Sequence, residues 1–119
     1  MDDGYVDINT TYCSCDSEEI VNLGNGFGYI RISVRMVKTV SKGSNFILGY
    51  VNTNFADGYV HPGIATIGYD TSFTDDGPNL NMYFISASNN GAIRCLVTGG
   101  NLATDTKIYA TFFFFSTKL

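Results

Sequence analysis

Four consecutive phenylalanines, residues 112–115, stand near the end of this 119-residue chain. They belong to a run, residues 107–116, whose aromatic and β-branched residues predict a β-strand. Side chains of a strand alternate between its two faces, so this strand is apolar on both. One face can cover the domain's own core, while the other needs a second sheet, a loop or another copy of the chain. We therefore expect a closed or sandwiched β-domain that self-associates.

Turn signals recur along the chain and separate short runs rich in Ile, Val, Tyr, Phe and Thr. The clearest run is residues 29–36, where apolar side chains alternate with Arg31, Ser33 and Arg35, as in a strand with one face in water. The predicted strands cover residues 4–9, 20–23, 29–36, 46–51, 64–69, 80–87, 92–97 and 107–116. Residues 16–20 instead predict a single helical turn, capped by Asp16 or Ser17.

About eight short strands without intervening helices predict an all-β fold, an antiparallel β-sandwich of jelly-roll type. The length fits a single domain, residues 1–119, with a core of its own. We expect residues 1–19 to form an N-terminal strand or extension of that domain. An immunoglobulin-type sandwich is disfavoured, because the chain has no Trp to lie between paired cysteines.

Charged residues make up only 15% of the chain against a usual share of about 25%, so much of the surface must be polar and uncharged. Such a surface suits sugars as partners. The seven basic residues are scattered and the net charge is −4, so nucleic acid is not an expected partner. No apolar run approaches the ~20 residues of a membrane helix, and the acidic start does not resemble a secretory signal.

An odd number of cysteines, three, argues against a disulfide framework. With His61 as fourth ligand, Cys13, Cys15 and Cys95 make at best an incomplete zinc site, so we expect reduced thiols. The acidic residues within 70–76 match no calcium loop and predict an exposed turn. We predict neither a metal nor a cofactor.

Catalysis has little support in the residues. The single histidine, His61, precedes Pro62 in a predicted exposed turn, and no nucleophile motif accompanies it. The only two glutamates, Glu18 and Glu19, are adjacent and would point apart in an extended chain. We expect a protein that is not an enzyme, with a small polysaccharide-cleaving domain as an alternative.

Residues 50–59 contain three aromatic residues, two Asn and one Asp, and His61 follows two positions later. Aromatic rings stack on the apolar faces of sugars, while Asn and Asp bind their hydroxyl groups. This segment therefore predicts a saccharide site; the alternative is a strand followed by an ordinary polar loop. The candidate ligand-binding residues are Tyr50, Asn52, Asn54, Asp57, Tyr59 and His61.

Tyr109, Phe113 and Phe115 share one face of the last predicted strand. A contiguous apolar surface of this kind usually marks an interface. These three residues are the candidate oligomer interface. The alternative is a central strand that both sheets of the same domain enclose.

Several segments together resemble a known family. Residues 63–69 run from a glycine through an apolar strand to a Gly-Tyr pair, and residues 86–93 form a polar Asn-Gly hairpin before an Ile strand. Residues 22–29 open the pattern and residues 108–115 close it with an aromatic strand. Over residues 20–119 the chain thus resembles the C-terminal receptor-binding head domains of bacteriophage tail-fibre and baseplate proteins.

The resemblance implies a compact β-sandwich that forms a homotrimer at the tip of a phage tail. It also implies binding of a host cell-surface saccharide or a teichoic-acid-like polymer. The expected location is the virion, after assembly in the host cytoplasm, which agrees with the missing signal peptide. A monomeric carbohydrate-binding module of a larger secreted protein is the alternative from a different class.

Overall fold

Eight β-strands make up most of the structure, a computed structural model that describes residues 5–52, 60–67, 78–85 and 91–115. The strands are β1 Tyr5–Ile8, β2 Cys13–Gly24, β3 Phe27–Met36, β4 Asn45–Asn52, β5 Val60–Ile67, β6 Asn79–Ile85, β7 Gly91–Thr98 and β8 Lys107–Phe115. The predicted all-β class is confirmed. Within the described ranges, no helix is long and apolar enough to cross a membrane.

All eight strands belong to one antiparallel sheet in the order β1-β4-β7-β6-β5-β8-β3-β2. β5, β6 and β7 pair in succession and β8 returns to the free side of β5, which is a Greek-key order. The two end strands, β1 and β2, are also in contact. The sheet therefore nearly closes on itself in a barrel-like form.

Strand β3 shows why the sequence folds this way. Its inward side chains, Ile30, Ile32, Val34 and Met36, are fully buried, whereas Arg31 between them is exposed. The turn before it, Asn25-Gly26, has positive φ at both residues, 56° and 85°, as a two-residue hairpin loop requires. The predicted strand and turn are both confirmed.

The core fills the inside of the curved sheet and draws on every strand except β5 for its fully enclosed apolar residues. Its largest side chain is Phe112 of β8, which lies opposite Gly63 of β5. A Cβ built on Gly63 would overlap the Phe112 ring. The Phe112 ring therefore lies directly over Gly63, in space that a side chain at position 63 would otherwise fill.

Two local predictions are wrong. Residues 16–20 form no helical turn but belong to β2, where the register against β3 shifts between Cys15 and Ser17. His61 does not lie in an exposed turn: it is part of β5 and only 7% exposed. Pro62 is accommodated beside it because the pairing of β5 with β8 begins only at Gly63.

Candidate functional site

The predicted ligand residues fall in different places. Tyr50 is half-buried on the outer side of β4, and Asn52 is the last residue of that strand. His61 lies in β5, and β7 and β6 separate β4 from β5 in the sheet. Asn54, Asp57 and Tyr59 lie outside the described residues. The ligand-binding role of this set stays a prediction.

A pocket of about 460 Å³ lies elsewhere, on the outer side of β4, β7 and β6. Its volume is in the range of small-molecule sites, roughly 300–1,000 Å³. We call it the outer-sheet pocket; it is lined by Asn45, Phe46, Ile47, Asn81, Tyr83, Arg94, Cys95 and Leu96. None of these residues is among the saccharide-binding candidates that the sequence predicts.

Strand register builds the pocket as two rows of side chains. Ile47, Arg94 and Tyr83 lie opposite one another across the three strands. The second row, two residues along, is Asn45, Leu96 and Asn81. With strands ~4.8 Å apart and residues ~3.4 Å apart along a strand, the six side chains cover roughly 10 by 7 Å.

A β-bulge in β4 shapes one wall of this pocket. The register against β7 shifts between Ile47 and Gly49, so that Leu48 faces the core while Ile47 faces outward. The side-chain amide of Asn9 donates a hydrogen bond of 2.9 Å to the Ile47 carbonyl, and the Asn9 backbone N–H donates one of 2.9 Å to the Leu48 carbonyl. Asn9 thus supplies hydrogen-bond donors to two backbone carbonyls at the bulge.

The chemistry of the outer-sheet pocket is mixed. Ile47 and Leu96 are half-buried and apolar, whereas Asn45, Asn81 and Arg94 are exposed and offer amide and guanidinium groups. The Tyr83 side chain is 38% exposed. Among the described residues that line the pocket there is no carboxylate or imidazole. The pocket can therefore place an apolar surface and several hydrogen-bond donors against one small molecule.

A second surface lies on the outer side of β5, β8 and β3. It consists of Phe27, Tyr29, Ile64, Tyr109 and Phe113, and we call it the aromatic face. Ile64 is 74% exposed, Phe113 67% and Tyr109 40%. Two of the three predicted interface residues, Tyr109 and Phe113, are therefore exposed on the protomer. Phe115 pairs with Phe27 in the ladder, and its side chain is outside the described part of the structure.

Polar residues of β2 and β3 border the aromatic face. Tyr29 donates a hydrogen bond of 2.8 Å to Oε1 of Glu19, and Nη2 of Arg31 lies 3.2 Å from the same oxygen. The hydrogen bond to Glu19 is the main cause that raises the pKa of Tyr29. The Tyr29 and Phe113 rings are 6.3 Å apart, so this polar cluster adjoins the most apolar part of the face.

The three cysteines are free thiols. Burial raises the pKa of Cys13 from 9.0 to about 12 and also raises the pKa of Cys95, so both thiols stay protonated at neutral pH. Cys15 is exposed at the surface. Its pKa is raised as well, first because the thiol is partly desolvated and then because the acidic residues Glu18 and Asp16 lie nearby. Among the side chains that the structure describes, no three His, Cys, Asp or Glu groups come together as a metal site.

Comparisons of the chain with protein-family models, with curated proteins and with solved structures found no match. The assignment of a function therefore depends on the two outer surfaces of the sheet.

Proposed function

We propose that this chain is the head domain of a phage tail appendage that binds host cell-surface saccharide and does not catalyse a reaction. The observation that carries the proposal is the division of the sheet surface. On the outer side of the sheet, β4, β7 and β6 bear a pocket of polar and apolar groups, whereas β5, β8 and β3 bear exposed aromatic rings. A head domain that forms an oligomer and binds a polymer needs one surface for its own copies and another for the polymer.

The proposed fold is a jelly-roll sandwich formed by flattening the nearly closed sheet. Its strand order supports this, because two overlapping Greek keys share β5, β6 and β7: β8 pairs with the free side of β5 and β4 with the free side of β7. One layer would hold β2, β1, β4 and β7, and the other β6, β5, β8 and β3. The aromatic face would then lie on the second layer, and the pocket would extend from β4 and β7 of the first layer onto β6 of the second.

The proposed assembly is a homotrimer in which the aromatic face packs against a neighbouring copy. Exposed rings in one contiguous area are a common mark of interfaces. In a ring of three, each copy offers two different surfaces, so the aromatic face of one protomer meets another surface of the next. Burial of each Phe113 side chain would contribute about 1.5–3 kcal/mol per copy.

The proposed saccharide site is the outer-sheet pocket. Asn45 and Asn81 can bond to sugar hydroxyls, and the Tyr83 ring and Leu96 can contact the apolar side of a sugar ring. Binding without catalysis is proposed because the lining residues that the structure describes include neither a carboxylate nor an imidazole, and burial raises the pKa of the Cys95 thiol among them.

A monomeric carbohydrate-binding module is the second candidate. The outer-sheet pocket would serve such a module equally well. The aromatic face favours the trimeric head, since a monomer would leave Phe113 and Ile64 in water.

A glycan array followed by NMR titration with the strongest ligand tests the site. Asn81→Ala should weaken binding by about 2- to 13-fold, the value of one ordinary hydrogen bond. Asn79→Ala is the matched control, because Asn79 is an exposed amide of the same strand outside the pocket lining. A silent array, or equal binding by both variants and the wild type, would overturn the proposed site.

A further inference from the structure

We propose that Arg94 makes the outer-sheet pocket a receptor for an anionic saccharide, one in which a carboxylate or phosphate group sits beside the sugar ring. This inference rests on the proposed function, and it names the class of sugar that the same site takes.

Arg94 occupies the middle of the pocket. It belongs to β7, the central strand of the three, and lies between Ile47 of β4 and Tyr83 of β6 in the same row. A ligand that covers the six side chains must therefore pass over the guanidinium. The half-buried, apolar Ile47 and Leu96 are its neighbours in the pocket, and a ligand lying against them would lose water, which strengthens a charge–charge contact there.

The charge of Arg94 is not neutralised by the described residues. Arg31 shows the contrasting case, because its guanidinium lies 3.2 Å from Oε1 of Glu19. Arg94 makes no ion pair or hydrogen bond with any other residue in the described ranges, and the pocket lining contains no acidic side chain. The five donors of this guanidinium are thus available to a ligand.

The surrounding groups favour an anion attached to a sugar over a free ion. A guanidinium forms paired, charge-assisted hydrogen bonds with a carboxylate or phosphate. Asn45 and Asn81 lie in the neighbouring row, where they can reach the hydroxyls of the attached ring. The net charge of −4 repels anions at long range, so specific binding needs a local cation such as Arg94.

The test compares ligands that differ by one charged group. A glucuronate-terminated disaccharide is paired with its glucose-terminated counterpart, and glucose 6-phosphate with glucose. Binding to the whole protein is measured by calorimetry and NMR at 50 and 500 mM salt. We expect at least one charged member to bind about ten- to a hundredfold tighter than its neutral partner, with the advantage reduced at high salt.

Arg94→Gln should abolish this preference, while Arg94→Lys should retain part of it. Arg31→Gln is the control, since it removes an exposed arginine that borders the aromatic face and lies outside the pocket lining. Preference for glucuronate or for glucose 6-phosphate would identify a carboxylate or a phosphate as the anion, and either supports the inference.

Equal binding of charged and neutral sugars, or a preference that survives in Arg94→Gln, would overturn the inference while the saccharide site stands. If no member of either pair binds, the anionic-sugar inference fails. The proposed function fails with it only if the glycan array is silent too.

Discussion

Replacing Gly63 by alanine tests the packing that joins β5 to β8. A glycine within a strand usually destabilises it by roughly 0.5–1 kcal/mol relative to alanine, so alanine should stabilise an open site. At Gly63 the new Cβ would lie 2.5 Å from Cδ1 and 2.7 Å from Cζ of the Phe112 ring. Phe112 is fully buried, so its ring is enclosed by other atoms of the core. Overpacking of this kind costs about 1–3 kcal/mol, so we expect a net loss of stability.

Urea denaturation followed by circular dichroism measures this loss. For a slope of about 2 kcal/mol per molar urea, a loss of 2 kcal/mol lowers the midpoint by roughly 1 M. Thr66→Ala, at an exposed position of the same strand, is the control and should change stability by less than about 0.5 kcal/mol. In a Phe112→Leu background, Gly63→Ala should become nearly neutral. The same loss in both backgrounds would show that the ring is not the obstacle.

Three further predictions concern the pocket wall and the thiols. Asn9→Ala should lower the free energy of unfolding by about 1 kcal/mol in a thermal melt, because the Ile47 carbonyl loses its partner; an unchanged melting temperature would contradict this. Under native conditions a thiol reagent should modify Cys15 alone, and Cys13 and Cys95 should react only after unfolding; two or more rapidly reacting thiols would refute their burial. The folded pKa of Cys13 is raised from 9.0 to about 12, so its stabilising contribution is complete below pH 9 and is lost between pH 9 and 12. Over that range the free energy of unfolding should fall by at most about 1.4 kcal/mol per pH unit because of this thiol. Cys13→Ala should make this fall less steep, and an unchanged pH dependence would refute the assignment.

Much of the fold could be predicted because local signals agree with the tertiary structure. The alternation in β3 and the Asn25-Gly26 loop are visible in the sequence, and both occur as expected. The first half of β2 was missed because residues 16–19 are all polar and resemble a helix cap. Residues 16–19 are exposed or half-buried in β2, the last strand in the order of the sheet. Their sequence therefore contains no alternating apolar residues that would indicate a strand with a buried face.

The outer-sheet pocket could not be predicted from any one segment. Its two rows combine residues about fifty positions apart, and only the pairing of β4 with β7 brings Asn45 next to Leu96. The sequence does contain a partial signal, because a hairpin of the predicted strands 80–87 and 92–97 can bring Tyr83 and Arg94 together, as the register of β6 and β7 does. The sequence does not reveal that His61 lies in a strand, because a following Pro is typical of a turn, whereas a strand tolerates Pro where one neighbour is missing.

The central claim is that the aromatic face joins copies of this chain, and the mass in solution tests it most directly. Size-exclusion chromatography with light scattering should give a trimer of about 39 kDa, three times the 13.0 kDa of one chain. Phe113→Ser should shift the mass toward 13.0 kDa and leave the far-ultraviolet circular dichroism unchanged. A wild-type protein that stays at 13.0 kDa at every concentration would contradict the claim.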